Sequence, residues 1–274
     1  MKRNFTATGP VQVDIRFEDG LCEISPRTGT EIGVEVEPFT VNNENDRKAA
    51  DSISIEFMND VLSITPEKKN PLQKLTTIHS GKVRIAISIP NNSSVSLDTS
   101  SGALNVSDGV IADLSVDSGS GDITVAHAAG DLRIRNSSGH IKFGQVDSSL
   151  QIDTGSSSAT IEQALGDVKM ETSSGDLTIG VAAGKVQFNS GSGEVKISEA
   201  HGKSINVKTS SGNISVGVPQ HIMVYTNIKS ANGLITGDLV NNGPDTPSES
   251  DTLKISVDTA SGNTDVHRIA ASKN

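Results

Sequence analysis

At 274 residues the chain is long enough for one large domain or two small ones. Its 23 Lys and Arg against 33 Asp and Glu give a net charge of −10, which argues against binding to a phosphate backbone. The single cysteine, Cys22, excludes an intrachain disulfide and a cysteine-rich metal site, and no apolar run approaches membrane-spanning length.

Aromatic residues are 3% of the chain, tryptophan is absent and glycine numbers 26. A thick two-layer core leans on aromatic bulk; a thin stack of strands does not. The start, Met1-Lys2-Arg3-Asn4-Phe5, lacks the apolar stretch of a signal peptide. As written, the chain is expected in the cytoplasm, or at the cell surface if the start shown is a trimmed one. Residues 11–36 alternate through Val11, Val13, Ile15 and Phe17, then Cys22 and Ile24, then Ile32, Val34 and Val36, with a turn at Asp19-Gly20. The spacing of Gly20, Cys22 and Ile24 is that of Gly175, Leu177 and Ile179 further on, which places Cys22 inward as a buried free thiol. Residues 38–51 are polar and read as a loop. Ile53, Ile55 and Phe57, then Leu62 and Ile64, resume the alternation. Residues 66–81, with two prolines and three lysines, read as a long surface excursion. Val83, Ile85, Ile87 and Ile89 make a strong strand, stopped at Pro90-Asn91-Asn92.

From Val95 to Val266 one unit recurs, with Glu171-Thr-Ser-Ser-Gly-Asp-Leu-Thr-Ile179 as its clearest copy. Its turn residue falls at Gly102, Gly121, Gly139, Ser157, Gly175, Gly193, Gly212, Gly233 and Gly262. Five positions before the turn residue every copy is apolar, from Leu97 to Val257, and four positions after it every copy but Gly237 is apolar. Nearly all of these have a second apolar residue two positions away, as in Leu177/Ile179 and Val186/Phe188. That is the period of a strand with one face inward. Three before and one before the turn residue stand only hydroxyl or amide side chains, such as Thr172 and Ser174. Stacked copies would align them about 4.8 Å apart, where they can bond one another and the turn backbone. The turn glycine is expected at positive φ. A second, looser turn carries small apolar residues, as in Ala182-Ala183-Gly184. Near the end the pattern loosens: Val218 to Ile228 exceeds a half-coil, and residues 241–252 form a Gly/Pro/Ser-rich insertion before Leu253, Ile255 and Val257 restore it.

A unit with four inward apolar residues cannot bury them alone and must stack. The expected fold is all-β, a β-solenoid (β-helix-like) of about 18-residue coils with two short strands per coil. Residues 1–94 are an irregular β region continuous with or capping the solenoid, residues 95–266 the regular repeats, and 267–274 a polar tail. The irregular first and last coils would cap otherwise open edges. No segment reads as a helix.

The repeated TSSG, GSG and SSG turns, the opening VQVDIRFEDGLCEI followed by TEIGVEVEP, and the IAISIP strand before the repeats together resemble the bacterial candidate-adhesin family of β-strand-repeat domains, a family of unknown function. The resemblance covers nearly the whole chain. It implies a β-solenoid-like fold and offers no catalytic residue to transfer. It also implies that relatives occur at the cell surface and in the cytoplasm, some tied to envelope-stress systems.

The residues themselves weigh against most chemistry. Asp122, Asp131, Asp167 and Asp176 each follow a turn glycine, as in calcium-binding β-rolls, but no GGxG precedes them and other copies carry Ala103, Lys185 or Asn213 there. They read as solvated turn formers. A polysaccharide-active enzyme would need a carboxylate pair in a groove and aromatic platforms, and Tyr225 is the only tyrosine. His79, His127, His140, His201, His221 and His267 lack metal-ligand spacing, and no serine is tied to a His/Asp arrangement. Neither a catalytic, a cofactor nor a metal site is assigned. The first functional reading is a non-catalytic interaction scaffold showing a repetitive polar face to an unknown protein or glycan, without nucleic acid or membrane insertion. The second is a cytoplasmic regulatory partner of an envelope-stress system. A calcium β-roll and an enzyme rank below both, and the oligomeric state is open.

Overall fold

The computed structural model describes residues 1–67, 81–238 and 252–269. Most of the expected excursion at 66–81, nearly all of the insertion at 241–252, the end of the polar tail and His79 lie outside them. The fold is a β-solenoid, and its contacts divide it into two compact units, residues 1–139 and 140–274.

The first unit runs β1 (Lys2–Thr6), β2 (Gln12–Arg27), β3 (Glu31–Pro38), α1 (Glu44–Asp51), β4 (Ile53–Met58), β5 (Val61–Pro66), β6 (Lys82–Pro90), β7 (Ser93–Val106), β8 (Ile111–Ser120), β9 (Ile123–Ala128) and β10 (Leu132–Ser138). β2 and β7 each run along both halves of a coil, and they pair in parallel from Gln12↔Ser94 to Ile24↔Val106. Gly20 falls opposite Gly102 and Cys22 opposite Leu104, so the first coil follows the register of the later repeats. On one side β2 pairs in parallel with β5 and β6. β4, β3 and β1 then add in antiparallel fashion, β4 on β5, β3 on β6 and β1 on β3. On the other side β8 and β9 stack on β7, and β10 on β8, all parallel. Val13, Ile15, Cys22, Ile24, Leu97 and Leu104 are among the fully buried inward residues.

One expectation fails here: α1 forms inside the stretch read as loop. Asn43 caps it, its side-chain oxygen accepting from the Asn45 and Asp46 N–H groups. Glu44 and Asp46 lie in the first turn, Lys48 in the last, and Glu44 pairs with Lys48 at 2.6 Å. The helix has no apolar stripe for periodicity to detect. It docks through Asp46, only 3% exposed, whose carboxylate accepts the Lys82 N–H at 2.8 Å and the Thr40 N–H at 2.9 Å.

The second unit runs β11 (His140–Val146), β12 (Leu150–Thr154), β13 (Ser158–Ala164), β14 (Val168–Thr172), β15 (Leu177–Ala182), β16 (Val186–Ser192), β17 (Val195–Ala200), β18 (Ser204–Ser211), β19 (Ile214–Pro219), β20 (Met223–Asn232), β21 (Ile235–Thr236), β22 (Thr252–Ser261) and β23 (Thr264–Ile269). β12, β14, β16 and β18 form one parallel column, with Ile152, Met170, Phe188 and Val207 in register. β11, β13, β15, β17 and β19 form the other, with Phe143, Ile161, Ile179, Ile197 and Val216 in register. All these residues are at most 1% exposed. The second turn adds another inward column, Val146, Ala164, Ala182 and Ala200.

The last coil in sequence is not last in space. β22 pairs with β18 on one side and β20 on the other, and β23 lies between β19 and β21. Burial accounts for the inversion. Opposite Ile255 and Val266 the 223–238 copy offers Thr226 and, in its sequence register, Gly237. Each buried aliphatic side chain contributes about 1.5–3 kcal/mol, so placing that copy inside the stack would forfeit several kcal/mol. At the end it forfeits less. Charge acts in the same direction but is weaker, since exposed pairs contribute about 1 kcal/mol or less. Chain order would set Lys229 beside Lys208; the observed order puts Asp258 between them.

Two variants check these assignments. Ile179→Asp should lower stability by on the order of 4 kcal/mol while Thr178→Asp stays within about 1 kcal/mol, read by urea melts; equal effects would contradict the register. Asp46→Ala, which orphans two backbone donors, should cost about 2–3 kcal/mol in the same assay.

Candidate interaction surface

The two side chains that flank each first turn separate in the structure. The residue three before the turn residue points inward: Thr99, Ser118, Asn136, Thr209 and Thr259 are all buried. They serve the turn backbone. Thr99 Oγ1 accepts the Gly102 N–H at 3.0 Å, the Asn136 amide donates to the Gly121 carbonyl at 3.1 Å, and Thr172 Oγ1 donates to the Gly155 carbonyl at 3.3 Å. The serine one before the turn residue faces solvent, as at Ser101, Ser174 and Ser211. The turn glycine adopts positive φ, as expected, at Gly121 (+140°), Gly139, Gly212 and Gly262, but not at Gly175. What Gly175 requires is the absence of a side chain, because a Cβ there would run into the Ser157 carbonyl oxygen. Close approach of the preceding coil, more than φ, selects glycine. Ser157, in the glycine's place, is fully buried, and its hydroxyl has no hydrogen-bond partner.

The residue after the turn carries a second set of bonds. Asp176 N–H donates to Ser158 Oγ at 3.3 Å, and Asp176 Oδ1 accepts the Glu194 N–H at 2.8 Å. The Asn213 amide donates to Glu194 at 2.9 Å, Asn213 Oδ1 accepts the Asn263 N–H at 3.1 Å, and Asn263 Oδ1 accepts the Leu234 N–H at 3.0 Å. At the second turn Asp167 Oδ1 accepts the Lys185 N–H at 2.8 Å. These aspartates are bonded to the next coil's backbone, a structural use of the oxygens a calcium ladder would need. Among the described residues no three His, Cys, Asp or Glu side chains converge as metal ligands do.

Cys22 is fully buried, and burial, reinforced by the nearby Glu23 carboxylate, pushes its thiol pKa far up, away from the reactive thiolate. His201 sits 3.2 Å from Glu199 at an exposed corner, and Tyr225 is 41% exposed on β20.

What remains open to a partner is the outward face. Four positions before the turn residue, the second unit aligns Asp153, Glu171, Asn189, Lys208, Asp258 and Lys229 across six neighbouring strands. A hydrogen bond from Lys169 to Glu171, 2.8 Å apart, raises the lysine's pKa. Part of this column, with Thr172 and Ser190 beside it, borders a shallow groove of about 680 Å³. A second groove of about 520 Å³ lies on the outer face of the first unit. Small residues, Gly33, Ala86, Ser88 and Ser25, border it alongside Lys2 and Glu35. The Gly33 N–H donates to Ser88 Oγ at 3.1 Å, and a Cβ at Gly33 would crowd that oxygen. Sequence reasoning located the polar positions but not the grooves, which depend on which strands become neighbours.

A family model, Toastrack DUF4097, matches residues 13–267. Among solved structures the chain is similar to a candidate cell adhesion protein from Clostridium sporogenes, at 9% identity over 98% of this chain and 99% of that chain, with a TM-score of 0.23. It is also similar to a candidate lipid binding protein from Parabacteroides distasonis, at 12% identity over 98% and 96% with a TM-score of 0.41. A candidate adhesin from Parabacteroides merdae aligns at 10% identity over 98% and 96% with a TM-score of 0.40. No curated protein matches the chain.

Removing the orphaned hydroxyl by Ser157→Ala should raise stability by about 1 kcal/mol, seen as a higher midpoint in urea; a lower midpoint would mean that the hydroxyl is satisfied in solution.

Proposed function

The chain belongs to the Toastrack DUF4097 family, and on that premise we propose that it acts as a non-catalytic interaction scaffold whose outward columns bind a protein partner. The carrying observation is the aligned series Asp153, Glu171, Asn189, Lys208, Asp258 and Lys229 on strands whose inward residues are fixed by stacking. Outward positions vary in charge from coil to coil while the backbone beneath them repeats. Such a face can change specificity without disturbing the core. A protein surface, with its own pattern of charges, complements this series better than a glycan does. Sugar recognition leans on exposed aromatic rings, and the chain has one tyrosine and no tryptophan. Among the described residues no helix is long and apolar enough to cross a membrane.

The test is capture from the native cell by the full chain, compared with Asp153→Lys/Glu171→Lys. Glu171 is exposed and Asp153 half-buried, and each reversal breaks a near-surface pair, so each should cost no more than about 1 kcal/mol. A specific protein captured by the native chain and lost with the double variant supports the reading. Capture that survives charge reversal of this column, or capture of glycans alone, overturns it.

A further inference from the structure

We infer that the coil Met223–Asp238 is a detachable cap, able to open as a unit from the inserted coil β22–β23 while the rest of the second unit stays folded. Its inward side is poor. Thr226 stands where β22 has Ile255, and both Thr226 and Ile228 are only half-buried. Val224 alone of its large apolar residues is buried, at 7% exposure, whereas Met223, Tyr225, Leu234 and Ile235 are 48%, 41%, 69% and 44% exposed. β21 is two residues long. Besides the β20–β22 backbone ladder, from Met223↔Thr252 to Asn232↔Ser261, polar side-chain ties rather than apolar burial hold the coil down. Leu234 N–H bonds Asn263 Oδ1 at 3.0 Å, Thr236 Oγ1 bonds Asp265 at 3.0 Å, and Asp238 accepts the Arg268 N–H at 2.9 Å. All three are exposed, so water can replace them at little cost.

The coil also has a fixed hinge. Arg268 Nη1 donates to the Pro219 carbonyl at 2.6 Å and to the Ile222 carbonyl at 2.7 Å. Because Arg268 belongs to β23, the connection 219–222 stays pinned to the inserted coil while the chain beyond it can swing. Opening uncovers the β22 edge, where Leu253, Ile255 and Val257, each 1% exposed when covered, lie in the same register as the interior joints of the stack. The C-terminal end of this unit thus has two states: one closed by a weak coil, and one presenting an apolar strand edge.

Hydrogen exchange on the full chain tests this. Amides of β20 and β21 should exchange about tenfold or more faster than those of β16 and than Lys254 of β22, whose N–H bonds the Lys203 carbonyl on the side away from the cap. Thr226→Val, which fills the polar gap, should slow β20 and β21 together and leave β16 unchanged. A second variant, Thr226→Cys/Ile255→Cys, joins residues directly opposite in register; its oxidised form should protect β21 as well as β20, and reduction should reverse this. Exchange of β20 at the rate of β16, or a lock that protects β20 and leaves β21 fast, overturns the proposal.

Discussion

A carbonyl oxygen of one coil occupies the place where the next coil's corner residue would carry its Cβ. This holds for Gly175 against Ser157, Gly193 against Gly175, Gly212 against Gly193 and Gly262 against Gly212. At these corners that clearance lets two coils follow each other at sheet spacing, about 4.8 Å, while Ser157 keeps a side chain buried at the same position. The rest depends on it. Strands held at that spacing pair along their full length, and their inward side chains close into columns without a second layer. A chain with 3% aromatic residues can then fill its core with Val, Ile, Leu and Ala.

The corner also reassigns the hydroxyl groups. Thr99, Thr209 and Thr259 turn under the bend, where they bond turn backbone and are lost to solvent. What the outward surface retains is the outer row of serines and the charged column beside it. Constraint and freedom therefore alternate residue by residue: the inward position is dictated by the stack, and its neighbour is left free to vary.

Much of this was legible in the sequence because it follows from period two. Leu177, Ile179, Val186 and Phe188 could be set inward, and Cys22 aligned with them through Gly20, without any structure. Three features were not legible in that way. The helix Glu44–Asp51 buries a carboxylate, and no hydrophobic pattern announces a buried Asp46; the capping residue Asn43 was the available signal. The positive φ expected at every corner was the wrong physical reason for glycine at Gly175, since clearance depends on a neighbour that a local reading does not see. The inversion of the last two coils is likewise a comparison between alternatives. Thr226 and Gly237 marked the weaker copy, but chain order gave no hint that the weaker copy would be moved outward.

The bonds after each turn have a direction. Each side chain that accepts does so from a residue one coil further along in space, through Ser158, Asp176, Asn213 and Asn263, and the series reaches Leu234. Leucine can take no further donor. The line of acceptors thus works as a one-way relay with a terminator, and its order is spatial, not sequential, since Asn263 comes before Leu234. The relay reinforces the stack without setting its length: Ala103 accepts nothing either, and the next coil still follows it through backbone pairing, Leu104 against Ile123.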